Sequence, residues 1–155
     1  MKVKELMSTN VVCVREDTPV NQIAAHMRKN NVGSLPVCDD IGHVKGIVTD
    51  RDIVVRVMAK ALPNAADGEV DTDLSQITAA DIMTTEPVTV SPNQNIHEAS
   101  LLFAANKIRR LPVTEASRLI GMLSLGDVAV KPVYIDEAGD ALSSISLADG
   151  LQSQS

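Results

Sequence analysis

The stretch Gly46-Ile47-Val48-Thr49-Asp50-Arg51-Asp52 comes back 75 positions later as Gly121-Met122-Leu123-Ser124-Leu125-Gly126-Asp127. Upstream, Leu35-Pro36-Val37 returns as Leu111-Pro112-Val113, and MSTNVVCV from Met7 to Val14 returns as MTTEPVTV from Met83 to Val90, both 76 positions on. One residue is therefore missing from a turn of the second copy. Two units of this length are not a solenoid, which stacks a row of short repeats. The pattern is that of a module with two-fold pseudosymmetry, so whatever one half binds the other is expected to bind too.

Working outward, each half reads as strand, helix, strand, turn, strand, helix. Val11 to Val14 is a short β-branched run, and Thr18-Pro19 supplies an N-cap with proline at the first helical position. Val20, Ile23, Ala24 and Met27 follow at helical spacing and predict one apolar face. Asn30-Asn31 ends that helix, Leu35 to Cys38 and Val44 to Val48 are strands about a turn at Asp39 to Gly42, and Thr49 opens a helix running to about Leu62, before Pro63. In the second half Val88 to Val90, a helix with Ile96, Ala99, Ser100 and Phe103 on one face, Leu111 to Val113 and Leu119 to Leu123 take the same places. Asn95 with Glu98 forms a capping pair there, and Pro132 cuts the last helix short.

The expected fold is α/β (α+β), two pseudo-symmetric β-α-β-β-α repeats packed as one module. The expected domains are 1–62 and 80–131, joined by an acidic linker at 63–79 and followed by a partly disordered tail at 132–155. The linker carries Asp67, Glu69, Asp71 and Asp73. A calcium loop starting at Asp67 would need glycine sixth and glutamate twelfth, where Thr72 and Thr78 stand, so the linker reads as solvated.

Bulk properties exclude several classes. The 155 residues are 45% hydrophobic, and no apolar run approaches the roughly 20 residues that span a bilayer. The opening Met-Lys-Val-Lys-Glu-Leu lacks the apolar heart of a signal peptide, so a cytoplasmic address is expected. A net charge of −6 with dispersed basic residues argues against nucleic acid, whose phosphates demand a clustered basic face. Phe103 and Tyr134 are the only aromatic residues, which removes stacking platforms and makes the core aliphatic. Cys13 and Cys38 read as buried small hydrophobes on strands, with a bridge between neighbouring strands left open as the alternative. His26, His43 and His97 lack ligand spacing, so no metal is expected. There is no set of nucleophile, base and acid, so the chain reads as a non-enzyme with no required cofactor.

The chemistry lies at the strand-to-helix corner of each repeat. Gly46 is expected to let a ligand approach the backbone, and the unpaired amides opening the next helix to form an anion site. Thr49 adds a hydroxyl for phosphate or ribose, and Asp52 can accept from the cis hydroxyls of a ribose. Asp50 and Arg51 complete that corner. The same spacing is also a capping-box signature that needs no ligand. Its double occurrence beside Leu-Pro-Val, with cations nearby, favours a nucleoside phosphate. Arg109 and Arg110 have no counterpart in the first half, where Gly33 and Ser34 stand, and their planar donors suit phosphate oxygens. The second corner has Leu125-Gly126 for Asp50-Arg51 and so reads as less polar.

Asp81-Ile82-Met83 followed by V-T-V, N-K-I-R-R-L-P-V and G-M-L-S-L-G-D, mirrored by N-N-V-G-S-L-P-V and G-I-V-T-D-R-D-I, resembles the cystathionine-β-synthase (CBS) domain. Two in tandem resemble a Bateman module, over residues 1 to about 130, of the small stand-alone type. The resemblance implies that Thr49, Asp52, Ser124 and Asp127 are phosphate and ribose contacts. It implies that adenine slips in near Thr9 to Val12 and Val32 to Pro36, with Val12, Ser34 and Pro36 as contacts, and near Thr85 to Val88 and Ile108 to Pro112, with Val88, Ile108 and Pro112. The implied function is a regulatory module sensing AMP, ADP, ATP or S-adenosylmethionine and signalling to a protein partner. The alternative is an interaction scaffold whose pockets stay empty. Ile53, Val54, Val57, Met58, Leu101 and Leu102 give two helices more apolar surface than one face can bury, so a homodimer is expected.

Overall fold

A computed structural model describes residues 1–59 and 73–153. The expected acidic linker lies outside the described residues as far as residue 72, as does the end of the second helix beyond Ala59. The chain forms two compact units, Val12–Pro87 and a second made of Met1–Val11 with Val88–Ser155. These packing units cross the expected limits of 1–62 and 80–131.

In the unit Val12–Pro87, helix α1 (Val20–Asn30) precedes strands β1 (Ser34–Cys38) and β2 (Val44–Thr49), then α2, which starts as Asp50–Asp52 and continues as a wider π turn over Ile53–Met58. A short helix α3 (Ala79–Ile82) and strand β3 (Thr84–Thr85) complete it, giving an antiparallel sheet in the order β1-β2-β3. Ile23, Leu35, Val37, Val48 and Val57 are buried together. At α1 the Thr18 cap does not form, because its hydroxyl accepts from the Arg15 N–H at 2.9 Å and Pro19 takes the cap position. The exposed amide is met instead by tertiary structure, with the Val20 N–H donating to the Ile77 carbonyl at 2.8 Å.

The unit containing Val88–Ser155 holds helix α4 (Ile96–Asn106), strands β4 (Arg110–Glu115) and β5 (Arg118–Ser124), the short α5 (Leu125–Ala129) and α6 (Ile135–Ser153). Asn95 caps α4 by accepting from the Glu98 N–H at 2.8 Å. Phe103, Leu111, Val113 and Leu123 are fully buried in its core. Where a partly disordered tail was expected, α6 buries Ala138, Ala141 and Ile145 in that core. The sequence signal was weak because α6 uses small residues rather than a continuous apolar stripe.

Each half completes its sheet with residues that lie before the other half in the chain. Gly46 pairs with Thr85 and Ile47 with Thr84, while Ser8 and Met122 exchange two hydrogen bonds of 2.9 Å. A Cβ on Gly46 would lie 2.6 Å from Met83 Sδ and 2.8 Å from the Thr84 carbonyl oxygen, and one on Gly121 would lie 2.8 Å from both Met7 Sδ and the Ser8 oxygen. The space at Gly46 therefore serves a neighbouring segment of the same unit, not a ligand as expected.

The expected first strands shrink to single parallel rungs, Val14 with Val37 and Val90 with Val113. The Val14 N–H donates to the Pro36 carbonyl at 3.0 Å, and Cys38 N–H donates to the Val14 carbonyl at 2.8 Å. The preceding rung would need a donor on Pro36, which has none. Pro112 stops the ladder in the same way after Val90 N–H donates to its carbonyl at 3.0 Å.

Candidate functional site

Both corners are built by an antiparallel strand pair that ends where a helix begins. Ser34 pairs with Thr49, and Arg110 pairs with Ser124. Each corner is closed by a reciprocal capping box. The Thr49 N–H donates to Asp52 Oδ2 at 2.8 Å and the Asp52 N–H to Thr49 Oγ1 at 3.1 Å; Ser124 and Asp127 repeat this at 2.8 and 3.0 Å. Thr78 and Asp81 form a third box of the same kind away from either corner, so this spacing alone does not single out a binding site. The box occupies one carboxylate oxygen and leaves Oδ1. Asp52 Oδ1 faces Arg56 Nε at 3.6 Å.

The amides beyond the cap separate the two corners. In the first, Asp50 N–H donates to the Gly33 carbonyl at 2.9 Å and Arg51 N–H donates to Asp50 Oδ1 at 2.8 Å. The Asp50 carboxylate lies over Gly33, with Oδ2 2.9 Å from where a Cβ would stand. With Asp52 N–H held by Thr49, every first-turn amide here has an acceptor, and the expected open anion site is filled by the corner's own groups. In the second corner Leu125 N–H donates to the Arg109 carbonyl at 2.9 Å, and the Gly126 N–H finds no acceptor among the described residues. Arg109 and Arg110 are both exposed. The second corner, read as the less polar from its sequence, thus keeps the more cationic rim.

The adenine-side candidates also gather by half. Val12 packs partly buried against the first core, and Pro36 carries the rung to Val14. Val88 and Ile108 pack against the second core, and Pro112 carries the rung to Val90. Because each proline halts the ladder, the backbone at Val12 and Val88 runs past β1 and β4 without continuing as strand. Ser34 is 7% exposed, and its Oγ is buried with no partner. Sequence reasoning missed this orphan hydroxyl and the missing rungs. The latter were readable, since proline inside a strand cannot donate to a neighbour.

Elsewhere, Asp39 is held below its ordinary range. Burial works against this, but the His43 and Ile41 amides donate to its carboxylate and His43 and Lys45 stand nearby. Cys38 is buried as expected, whereas Cys13 is exposed, because the single rung at Val14 leaves the preceding residue outside the sheet. Burial, then the adjacent Cys13 and Asp39, push the Cys38 thiol up to about 12. Among the described residues no group of three His, Cys, Asp or Glu could hold a metal ion, and no helix is long and apolar enough to cross a membrane.

The CBS domain-containing protein YhcV of Bacillus subtilis (strain 168) is 38% identical over 144 residues, covering 93% of this chain and 94% of that protein. The crystal structure of CBSX2 in complex with AMP has a TM-score of 0.70 at 28% identity, over 87% of this chain and 98% of that one. Hypoxic Response Protein I, solved with two coordinated zinc ions, has a TM-score of 0.71 at 28% identity, over 84% of this chain and 98% of that one. The CBS domain profile matches twice, at residues 3–59 and 79–134. With a repeated Leu-Pro-Val strand, a repeated capped corner and this likeness, the chain belongs to the CBS domain family and carries two CBS domains in tandem.

Proposed function

We propose that the chain is a regulatory module that senses an adenosine ligand, AMP, ADP, ATP or S-adenosylmethionine, and signals to a protein partner by a change of conformation or stability. The observation that carries this reading is the Ser34 hydroxyl, buried without a partner beside Thr49. A buried orphan hydroxyl costs about 1–3 kcal/mol, and a ligand that bonds it recovers that cost. The likeness to CBSX2, solved with AMP, supports the same ligand class.

In this reading Asp52 and Asp127 each use the oxygen left over from the capping box to accept from a ribose hydroxyl. Thr49 and Ser124 hold the phosphate end, Arg109, Arg110 and Arg51 neutralise it, and adenine lies against Val12 and Pro36 or Val88, Ile108 and Pro112. The two sites then differ in taste. The second, with the Gly126 amide and two arginines, takes the more highly phosphorylated ligand, whereas Asp50 turns the first toward a ligand with little negative charge. The module works in the cytoplasm as a homodimer, through exposed apolar side chains such as Val54, Val55 and Leu101. It acts by binding rather than by catalysis, the ligand moving an equilibrium by its differential affinity for two states.

Thermal denaturation with each adenosine compound tests this. At about 100 times its dissociation constant a ligand adds about 2.7 kcal/mol of stability. Asp52→Ala and Asp127→Ala should remove much of that gain, and a 2′-deoxy analogue should bind more weakly. The competing reading, a scaffold with empty pockets, draws on the capping boxes, which tie down both helix starts without a ligand. Absence of any shift with all four compounds would favour it.

A further inference from the structure

The first unit carries a thiol pair that the adenosine reading does not use. Cys13 immediately precedes the Val14 rung, and Cys38 donates its own N–H to the Val14 carbonyl at 2.8 Å. The parallel bridge therefore sets the two residues diagonally across one rung. Cys13 is exposed and Cys38 is 2% exposed. The repeat supplies an internal control. Seventy-six positions on, the same places hold Thr89 and Thr114, and Thr114 N–H makes the same bond to the Val90 carbonyl at 2.9 Å. The fold at this rung does not require sulfur.

We propose that Cys13 and Cys38 form a redox-modification site, which a low-molecular-weight disulfide converts to an internal disulfide clamping the Val12–Val14 segment onto β1. Cys13 is the entry point because only it meets solvent. Its thiolate attacks one sulfur of the small disulfide, forming a mixed disulfide and releasing one small thiolate. The Cys38 thiol, once deprotonated, attacks the Cys13 sulfur and expels the second small thiolate. Two protein thiols are oxidised and one small disulfide is reduced to two thiols, which take up the two thiol protons. Burial keeps the Cys38 thiol protonated, so the second step is the slow one and rises with pH.

Oxidised glutathione is the probe, applied to the full chain, with intact mass and maleimide labelling after unfolding as readouts. The wild type should lose both free thiols together, weigh two hydrogens less and stay free of intermolecular disulfides, with dithiothreitol restoring both thiols. Cys38→Thr should stop at a glutathione adduct on Cys13, and Cys13→Thr should leave Cys38 unreacted while folded. The double variant Cys13→Thr with Cys38→Thr copies the second half and reports whether the fold tolerates the change. A wild type that accumulates the Cys13 adduct, or intermolecular disulfides, while Cys38 still labels after unfolding would overturn the proposal. So would Cys13→Thr losing its remaining thiol as fast as the wild type. Neither result bears on adenosine binding, which is read by thermal shift under reducing conditions.

Discussion

The two strand-to-helix corners share their backbone and their capping boxes but spend the space between the capping residues differently. In the first, Asp50 sits over Gly33 and supplies the acceptor for the Arg51 amide. In the second, Leu125 turns into the core at 8% exposed and Gly126 keeps its amide. One fold therefore yields a corner satisfied by its own carboxylate and a corner that is anchored by packing and open at the backbone. What is repeated is the capped start of the helix, and what diverges is how the two residues between the capping partners are used.

The largest expected effect tests the anchoring difference. Leu125→Ala should cost about 2–5 kcal/mol as a core truncation, whereas Asp50→Ala should change stability by no more than about 0.5 kcal/mol. Urea unfolding of the two variants reads this directly, and equal costs would abolish the contrast. The glycines should behave alike instead. Gly46→Ala and Gly121→Ala each press a methyl onto a backbone carbonyl that cannot swing aside, at about 1–3 kcal/mol apiece. A cheap Gly121→Ala beside a costly Gly46→Ala would mean that the two flanking segments do not close their sheets equivalently.

The caps come next. Thr49→Ala and Ser124→Ala should each cost about 1 kcal/mol without ligand, in the same unfolding assay. If adenosine ligands bind there, the two variants should part company only when nucleotide is added, with Ser124→Ala losing more affinity for triphosphate. The smallest effect is confined to alkaline solution and to the first half. Because the folded state holds Cys38 protonated, its contribution is complete below about 9, the ordinary thiol value, and declines as pH rises toward about 12. Cys38→Thr should flatten that part of the pH–stability profile, and an unchanged slope would show that another group titrates there.

Much of the architecture could be read from particular residues. Ile23, Phe103, Leu35 and Leu111 fall at helical or strand spacing, and all four are buried. The Thr49/Asp52 and Ser124/Asp127 spacings announced capped helix starts, which the structure contains. The same spacings could not decide between cap and ligand, because one carboxylate can serve the helix with one oxygen and a ribose with the other. Thr18 looked like a cap and is not one, since the acceptor for Val20 arrives from Ile77, far along the chain.

By itself, the sequence determined the repeat, the core faces, the two corners and the family, since periodicity, proline position and capping are set by a few adjacent residues. Tertiary structure alone decided which segment closes which sheet, that Gly46 makes room for Met83 and Thr84, that the first corner's amides are already taken, and that Cys13 lies beside Cys38 but in solvent. These are relations between residues far apart in the chain. Local spacing carries no information about which distant donor, acceptor or thiol will arrive at a given atom.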